Sequence, residues 1–184
     1  MPRVGAALVA VALAAVVVAV VMNGSDGRSP PSEAQATPPA EAPCDPITEG
    51  TTKIAPTRDA VVGPLVLIGA RGTPSHRPDA FGRQGYKVPV TLPEGMTATL
   101  TVPESLRGRV GLVFSRRAQD AVLDSGTRGA DSAVRFSACE PDGAPGRSGW
   151  PGGFVVDRPR CATLLVEVPG EAPERRRVPL GRRC

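Results

Sequence analysis

Residues 96 to 102, Met-Thr-Ala-Thr-Leu-Thr-Val, decide the fold class of this chain. Apolar side chains at the even positions alternate with threonine at the odd positions. Successive side chains of a strand point to opposite faces, and threonine is favoured in strands. The stretch therefore predicts a β-strand with one face in a core and the other in solvent.

Seven further runs rich in Val, Leu or Thr end at Gly, Pro, Asp or Ser and also predict strands. They lie at residues 60–70, 86–92, 109–115, 132–139, 153–157, 162–168 and 175–180. No stretch after residue 44 keeps a helical repeat for three turns, and residues 116–131 are interpreted as a solvated connection. About eight short strands predict an all-β fold, an antiparallel β-sandwich of immunoglobulin-like architecture.

Prolines refine the strand assignment. Pro89 and Pro179 lie inside two of the predicted strands, where proline cannot donate a ladder hydrogen bond, so both segments are expected to be edge or bulged strands. Pro93-Glu94-Gly95 is typical of a tight turn. It predicts a hairpin between residues 86–92 and 96–102.

Four cysteines, at positions 44, 139, 161 and 184, favour two disulfides in an oxidising compartment. Four cysteines allow three connectivities. We expect Cys139 to pair with Cys161, framing one loop, and Cys44 to pair with Cys184, tying the ends of the domain. With one histidine and no C-x-x-C pair, we expect no metal site and no cofactor.

The segment Gly149-Trp150-Pro151-Gly152-Gly153-Phe154 contains the only tryptophan. Under a structural interpretation, Pro-Gly makes a turn and Trp150 packs over a disulfide or an open end of the sandwich. Under a binding interpretation, a Gly- and Pro-rich loop presents Trp150 and Phe154 to a ligand, as loops on rigid β scaffolds often do. Both interpretations stay open at this stage.

This segment belongs to a wider pattern of motifs. It follows Val134-Arg-Phe-Ser-Ala-Cys139 and precedes Arg158-Pro-Arg-Cys161 and Leu180-Gly-Arg-Arg-Cys184. The order resembles that of a set of uncharacterised exported or membrane-anchored proteins of high-GC bacteria, and basic residues that are nearly all arginine are consistent with such a genome. The resemblance implies an address and an architecture, and no functional residue is carried over from it.

Positive charge is concentrated at the end of the chain. Residues 44–184 carry 20 basic and 15 acidic side chains, and five of the arginines lie within nine residues: Arg175, Arg176, Arg177, Arg182 and Arg183. Strand alternation places Arg175 and Arg177 on one face and Arg176 on the other. Such a patch is suited to an anionic envelope polymer, lipid headgroups or an acidic protein, although arginine also guards edge strands against unwanted pairing.

Residues with catalytic potential are sparse. His76 follows Ser75, but no G-x-S-x-G elbow is present, and neighbouring side chains on a strand do not meet as nucleophile and base. A surface histidine is the simpler interpretation. Export and the few aromatic residues disfavour nucleic acid as a partner.

The amino-terminal region predicts the cellular address. Residues 1–22 contain Arg3 followed by an unbroken apolar run, which as a helix is about 27 Å long and barely spans a membrane. A retained single-pass signal-anchor is expected, with a cleaved secretory signal as the alternative. Residues 23–43 hold five prolines and no large apolar side chain, which predicts a disordered linker before a domain at 44–184.

The sequence thus predicts a non-catalytic binding module, tethered to the membrane by residues 1–22 with its carboxy-terminal domain outside. The candidate binding residues are Trp150, Phe154, Arg175, Arg177, Arg182 and Arg183. Two alternatives remain: a small extracytoplasmic hydrolase that uses His76 or a pair of acids, and an accessory or sensor subunit of an envelope complex.

Overall fold

The computed structural model describes residues 37–44, 48–49, 53–139 and 146–184. Strands dominate these residues, which confirms the predicted predominance of β-structure. The strands are β1 (Ala40–Glu41), β2 (Thr48–Glu49), β3 (Ala60–Val62), β4 (Leu65–Leu67), β5 (Gly85–Lys87), β6 (Val90–Pro93), β7 (Thr97–Thr101), β8 (Val110–Val113), β9 (Ala133–Ser137), β10 (Arg147–Trp150), β11 (Gly153–Val156), β12 (Arg160–Glu167) and β13 (Glu174–Leu180). A single α-helix, α1 (Arg116–Ser125), and three short 3-10 helices at Ala70–Ser75, Glu104–Leu106 and Gly126–Arg128 complete the described part.

The predicted membrane anchor at residues 1–22 and most of the predicted linker lie outside the described residues. Within the part of the chain that the structure does describe, no helix is both long enough and apolar enough to cross a membrane.

The strands form three sheets. The first has the order β1-β9-β7-β12-β13 and is antiparallel except where β1 runs parallel to β9. The second has the order β2-β10-β6-β4-β3, and the third the order β5-β11-β8. The pair β5 and β11 continues into the pair β6 and β10 across a corner, where Val88 N–H donates to the Gly152 carbonyl at 3.0 Å. The second and third sheets are therefore two parts of one bent layer.

The core lies between this bent layer and the first sheet. The first sheet contributes the inward side chains of β7, β9, β12 and β13, among them Leu100, Phe136 and Leu164. Four aromatic rings form a chain of edge-on contacts through the core, with centroids 6.0 Å apart for Phe154 and Phe114, 5.2 Å for Phe114 and Phe136, and 5.2 Å for Phe136 and Trp150. Such contacts stabilise a core beyond the burial of the rings themselves.

The alternating stretch 96–102 forms β7, with Ala98 and Leu100 buried as predicted. The predicted hairpin around Pro93-Glu94-Gly95 is wrong. The turn exists, because Met96 N–H donates to the Pro93 carbonyl at 3.4 Å and Gly95 has a φ of 70°. However, β6 belongs to the second sheet and β7 to the first, so the chain crosses the core there instead of folding back.

Other segments also differ from expectation. Residues 60–70 form two strands, β3 and β4, joined at Gly63-Pro64, and 86–92 divide at Val88–Pro89 into β5 and β6. Pro89 lies at the corner between them. The edge-strand prediction is correct for β5, at the edge of the third sheet, and wrong for β6, which is a central strand of the second. Pro179, in contrast, lies in β13, which is an edge strand as predicted. The short strands β1, β2 and β10 were not predicted.

The predicted solvated connection at 116–131 is wrong, because it contains helix α1. Ala118 and Val122 pack against Val113 and Val155 on the outer face of the third sheet. Ser115 caps the helix by accepting a hydrogen bond from Ala118 N–H at 3.0 Å and donates to the buried carboxylate of Asp131.

The predicted presence of two disulfides is confirmed, but the predicted pairing is wrong. Cys44 is bonded to Cys139, and Cys161 is bonded to Cys184. The first bond joins the amino-terminal segment to the end of β9, and the second ties the carboxy-terminal tail to β12.

Candidate functional site

The arginines of β13 alternate between the two faces of the first sheet. Arg175 lies opposite Leu165 and Arg177 opposite Thr163 on the outer face, whereas Arg176 lies opposite the buried Leu164. This arrangement confirms the predicted alternation. All three arginines are exposed, because β13 is at the edge of the sheet.

The disulfide between Cys161 and Cys184 brings the tail back to this strand. Arg177 Nε lies 3.3 Å from Cys161 Sγ, so it is next to the bond that holds Cys184. Arg182 and Arg183 directly precede Cys184 and are exposed. We define the arginine surface as the side chains of Arg175, Arg177, Arg182 and Arg183.

A groove of about 410 Å³ lies beside the same strand, between β13 of the first sheet and β3 of the second. The groove, called the edge groove below, is lined by Ala60, Val61, Gly63, Arg71, Glu174, Arg176 and Arg177. Arg176 Nε pairs with Glu174 Oε1 at 2.5 Å, and Arg71 Nε donates to the Asp59 carbonyl at 2.8 Å. Three arginine residues and one acidic residue therefore line the groove, so basic residues outnumber acidic ones there.

Some arginines of the described residues pair with acidic side chains and others do not. Arg117, Arg135 and Arg160 each pair with a carboxylate. Among the described residues, Arg175, Arg182 and Arg183 have no carboxylate partner. Their guanidinium groups are free to bind an external anion.

Trp150 and Phe154 lie in the core and not at a surface. Trp150 is 1% exposed, Phe154 is fully buried, and the Trp150 ring packs edge-on against Phe136. Neither ring faces solvent, so the structural interpretation accounts for their positions. The binding interpretation of the Trp150 segment has no exposed ring to support it.

The residues that a hydrolase would use are not arranged as a catalytic site within the described residues. His76 and Ser75 are both exposed at the end of the 3-10 helix Ala70–Ser75, and the structure shows no hydrogen bond from either side chain to a carboxylate there. In the same described ranges, no cluster of three or more His, Cys, Asp or Glu side chains is placed to hold a metal ion.

Sequence reasoning missed Arg71 and Val61 as members of a candidate site. Arg71 is 104 positions or more from the arginines of β13. The 3-10 helix that carries it is joined to β13 by Thr73, whose hydroxyl donates to the Pro179 carbonyl at 2.8 Å. No local signal in the sequence indicates this approach. Only the tertiary structure brings Arg71 beside Arg176 and Arg177.

Comparison with known proteins identifies no relative: no protein-family model, no curated protein and no solved structure matches this chain.

Proposed function

We propose that this chain is a membrane-tethered, non-catalytic binding module outside the membrane, built on an immunoglobulin-like sandwich, and that its arginine surface binds an anionic partner in the cell envelope. The observation that carries the proposal is the position of Arg177, Arg182 and Arg183 next to one disulfide, with Arg175 on the same face of β13 as Arg177. Within the described residues, no carboxylate pairs with Arg175, Arg182 or Arg183.

Two further features support the proposal. The two disulfides indicate an oxidising compartment, which is consistent with a domain outside the membrane. Guanidinium groups bind carboxylates and phosphates through paired hydrogen bonds. Each exposed contact is weak and is screened by salt over about 8 Å at physiological ionic strength, so several arginines must act together.

Binding of full-length protein, extracted from the membrane fraction in neutral detergent, to poly-L-glutamate and to inorganic polyphosphate tests the proposal. We expect both polyanions to bind, with affinity that falls as salt rises. Changing all four arginines of the arginine surface to serine is expected to weaken binding at least about tenfold, because exposed ion pairs contribute about 0.2–1 kcal/mol each and four are lost together.

A matched control removes the same charge elsewhere. It changes four exposed arginines outside this surface to serine: Arg77, Arg107, Arg109 and Arg128. Equal loss of binding in the two variants would show that net charge, and not the arginine surface, is responsible. Recovery of the native protein in the soluble fraction, without residues 1–22, would contradict the tether and favour secretion.

A further inference from the structure

The free edge of β13 presents unpaired backbone groups. Thr73 Oγ1 donates to the Pro179 carbonyl and accepts from Gly181 N–H, so residues 179 and 181 direct these groups away from β12. In an antiparallel pair, alternate residues direct N–H and C=O away from the partner strand. Arg175 and Arg177 are an even number of residues from Pro179. Their backbone N–H and C=O groups therefore also point away from β12, toward the free edge of the sheet.

This parity also explains Pro179. Its position directs its nitrogen away from β12, so proline there removes no hydrogen bond of the ladder. The 3-10 helix at Ala70–Ser75 forms hydrogen bonds with the edge at residues 179 and 181. Within the described residues, the edge at Arg175 and Arg177 has no strand beside it, and four backbone groups are available there.

The edge groove runs along this open part of β13. On its opposite wall is β3, the edge strand of the second sheet, where Val61 is 47% exposed. An added strand at β13 directs alternate side chains toward the groove, which contains Arg71 and Arg176, and toward the outer face, which carries Arg175 and Arg177. An acidic residue on either face of the added strand meets a guanidinium group.

We propose that the partner at this site is a protein, an acidic segment in extended conformation that adds to β13 as a further strand at residues 174–177. Strand addition at a free edge obtains affinity from main-chain hydrogen bonds and specificity from side chains. The arginines exclude neutral and basic strands, which protects the edge from self-association, and select an acidic one. This inference rests on the proposed function, because it names the chemistry of the anionic partner.

The test uses an eight-residue capped peptide of alternating Glu and Val, labelled for fluorescence anisotropy, and the full-length protein in detergent. A second peptide has the same sequence with every backbone nitrogen methylated, so it keeps the charge but cannot donate a backbone hydrogen bond along either edge. We expect the first peptide to bind and the methylated peptide to bind at least about tenfold more weakly. Equal binding of the two peptides would overturn strand addition.

Two variants at one position separate charge from the backbone. Arg175→Ser removes the guanidinium group only, whereas Arg175→Pro removes it together with one outward N–H and leaves the ladder to β12 intact. We expect Arg175→Pro to bind the peptide at least about threefold more weakly than Arg175→Ser. If both variants have native circular dichroism and bind the peptide with equal affinity, the proposal is contradicted. If either variant fails to fold, the comparison of the two peptides tests the proposal instead.

The outcomes also separate this inference from the proposed function. If poly-L-glutamate binds through the arginine surface while both peptides bind equally, the surface is an anion site without strand addition. If no polyanion binds, both proposals fail. A peptide of alternating Lys and Val that binds as well as the acidic one would exclude selection by charge.

Discussion

At the residue scale, the hydroxyl of Tyr86 is an informative exception in a well-packed core. Tyr86 is 3% exposed, and its hydroxyl has no hydrogen-bond partner among the described residues. A buried polar group without a partner costs ~1–3 kcal/mol. Burial also raises the pKa of Tyr86 above its ordinary value of 10.0, because the charged phenolate is poorly solvated there.

The change Tyr86→Phe is therefore expected to leave the free energy of unfolding at neutral pH unchanged or to raise it by up to ~1 kcal/mol. The pKa of Tyr86 is higher in the folded than in the unfolded protein. The stability that results from this difference is therefore complete below the unfolded pKa and is lost as pH rises through the folded pKa. The wild-type protein should lose more stability than Tyr86→Phe on going from neutral pH to above pH 10. Urea unfolding followed by circular dichroism measures both differences.

Comparison of the two proteins at each pH cancels the contributions of all the other groups, which the two proteins share. A loss of more than ~1 kcal/mol in Tyr86→Phe at neutral pH would show that the hydroxyl makes a favourable interaction, and the interpretation of Tyr86 as an unpaired group would be abandoned.

At the scale of elements, helix α1 depends on its first turn. Ser115 accepts from Ala118 N–H and donates to Asp131, which also pairs with Arg117. Ser115→Ala removes the cap and one donor to a buried carboxylate, so we expect a loss of about 2 kcal/mol in the free energy of unfolding. Amide hydrogen exchange of residues 118–125 should also become faster than in the wild-type protein.

Ser125→Ala is the matched control at the other end of the helix. Ser125 is exposed and makes no side-chain capping hydrogen bond, so its change is expected to stay within ~0.5 kcal/mol of the wild type. Similar losses in the two variants would contradict a capping role for Ser115.

Elements were predictable where one local rule decides them. Period-two alternation identified β7 and the faces of Arg175, Arg176 and Arg177, because these depend only on strand geometry. Helix α1 was not predicted because it buries only two side chains. The apolar Leu123 is 65% exposed, so the apolar residues of the helix do not follow a clear helical repeat. Turn residues predicted the bend at Pro93 correctly, but whether a chain folds back or crosses the core is decided by packing.

The residues of the edge groove could likewise be predicted only in part from the sequence. Its arginines on β13 follow from the sequence, whereas Arg71 and Val61 join them through the approach of two sheets. No spacing along the chain encodes that approach.

At the scale of the whole molecule, strand pairing decides which cysteines meet. Parallel pairing places Ala40 opposite Val134 and Glu41 opposite Arg135, and the same offset carries Cys44 to the neighbourhood of Cys139. At the other end, Gly181 turns with a φ of 82° and returns the tail to Cys161. The first pairing depends on β1, a two-residue strand in a Pro-rich segment that carries no strand signal of its own.

The two disulfides are expected to have different roles. Cys44 and Cys139 are 95 residues apart and Cys161 and Cys184 are 23 apart, for which loop-closure entropy predicts stabilisation of ~4.7 and ~3.4 kcal/mol. The double change Cys44→Ser and Cys139→Ser should therefore lower the free energy of unfolding more than Cys161→Ser and Cys184→Ser. Only the second pair holds Arg182 and Arg183 beside Arg177, so only its loss should weaken poly-L-glutamate binding at temperatures where both variants are folded. Urea unfolding and binding measured on both variants test this separation, and weaker binding in the Cys44 and Cys139 variant alone would contradict it.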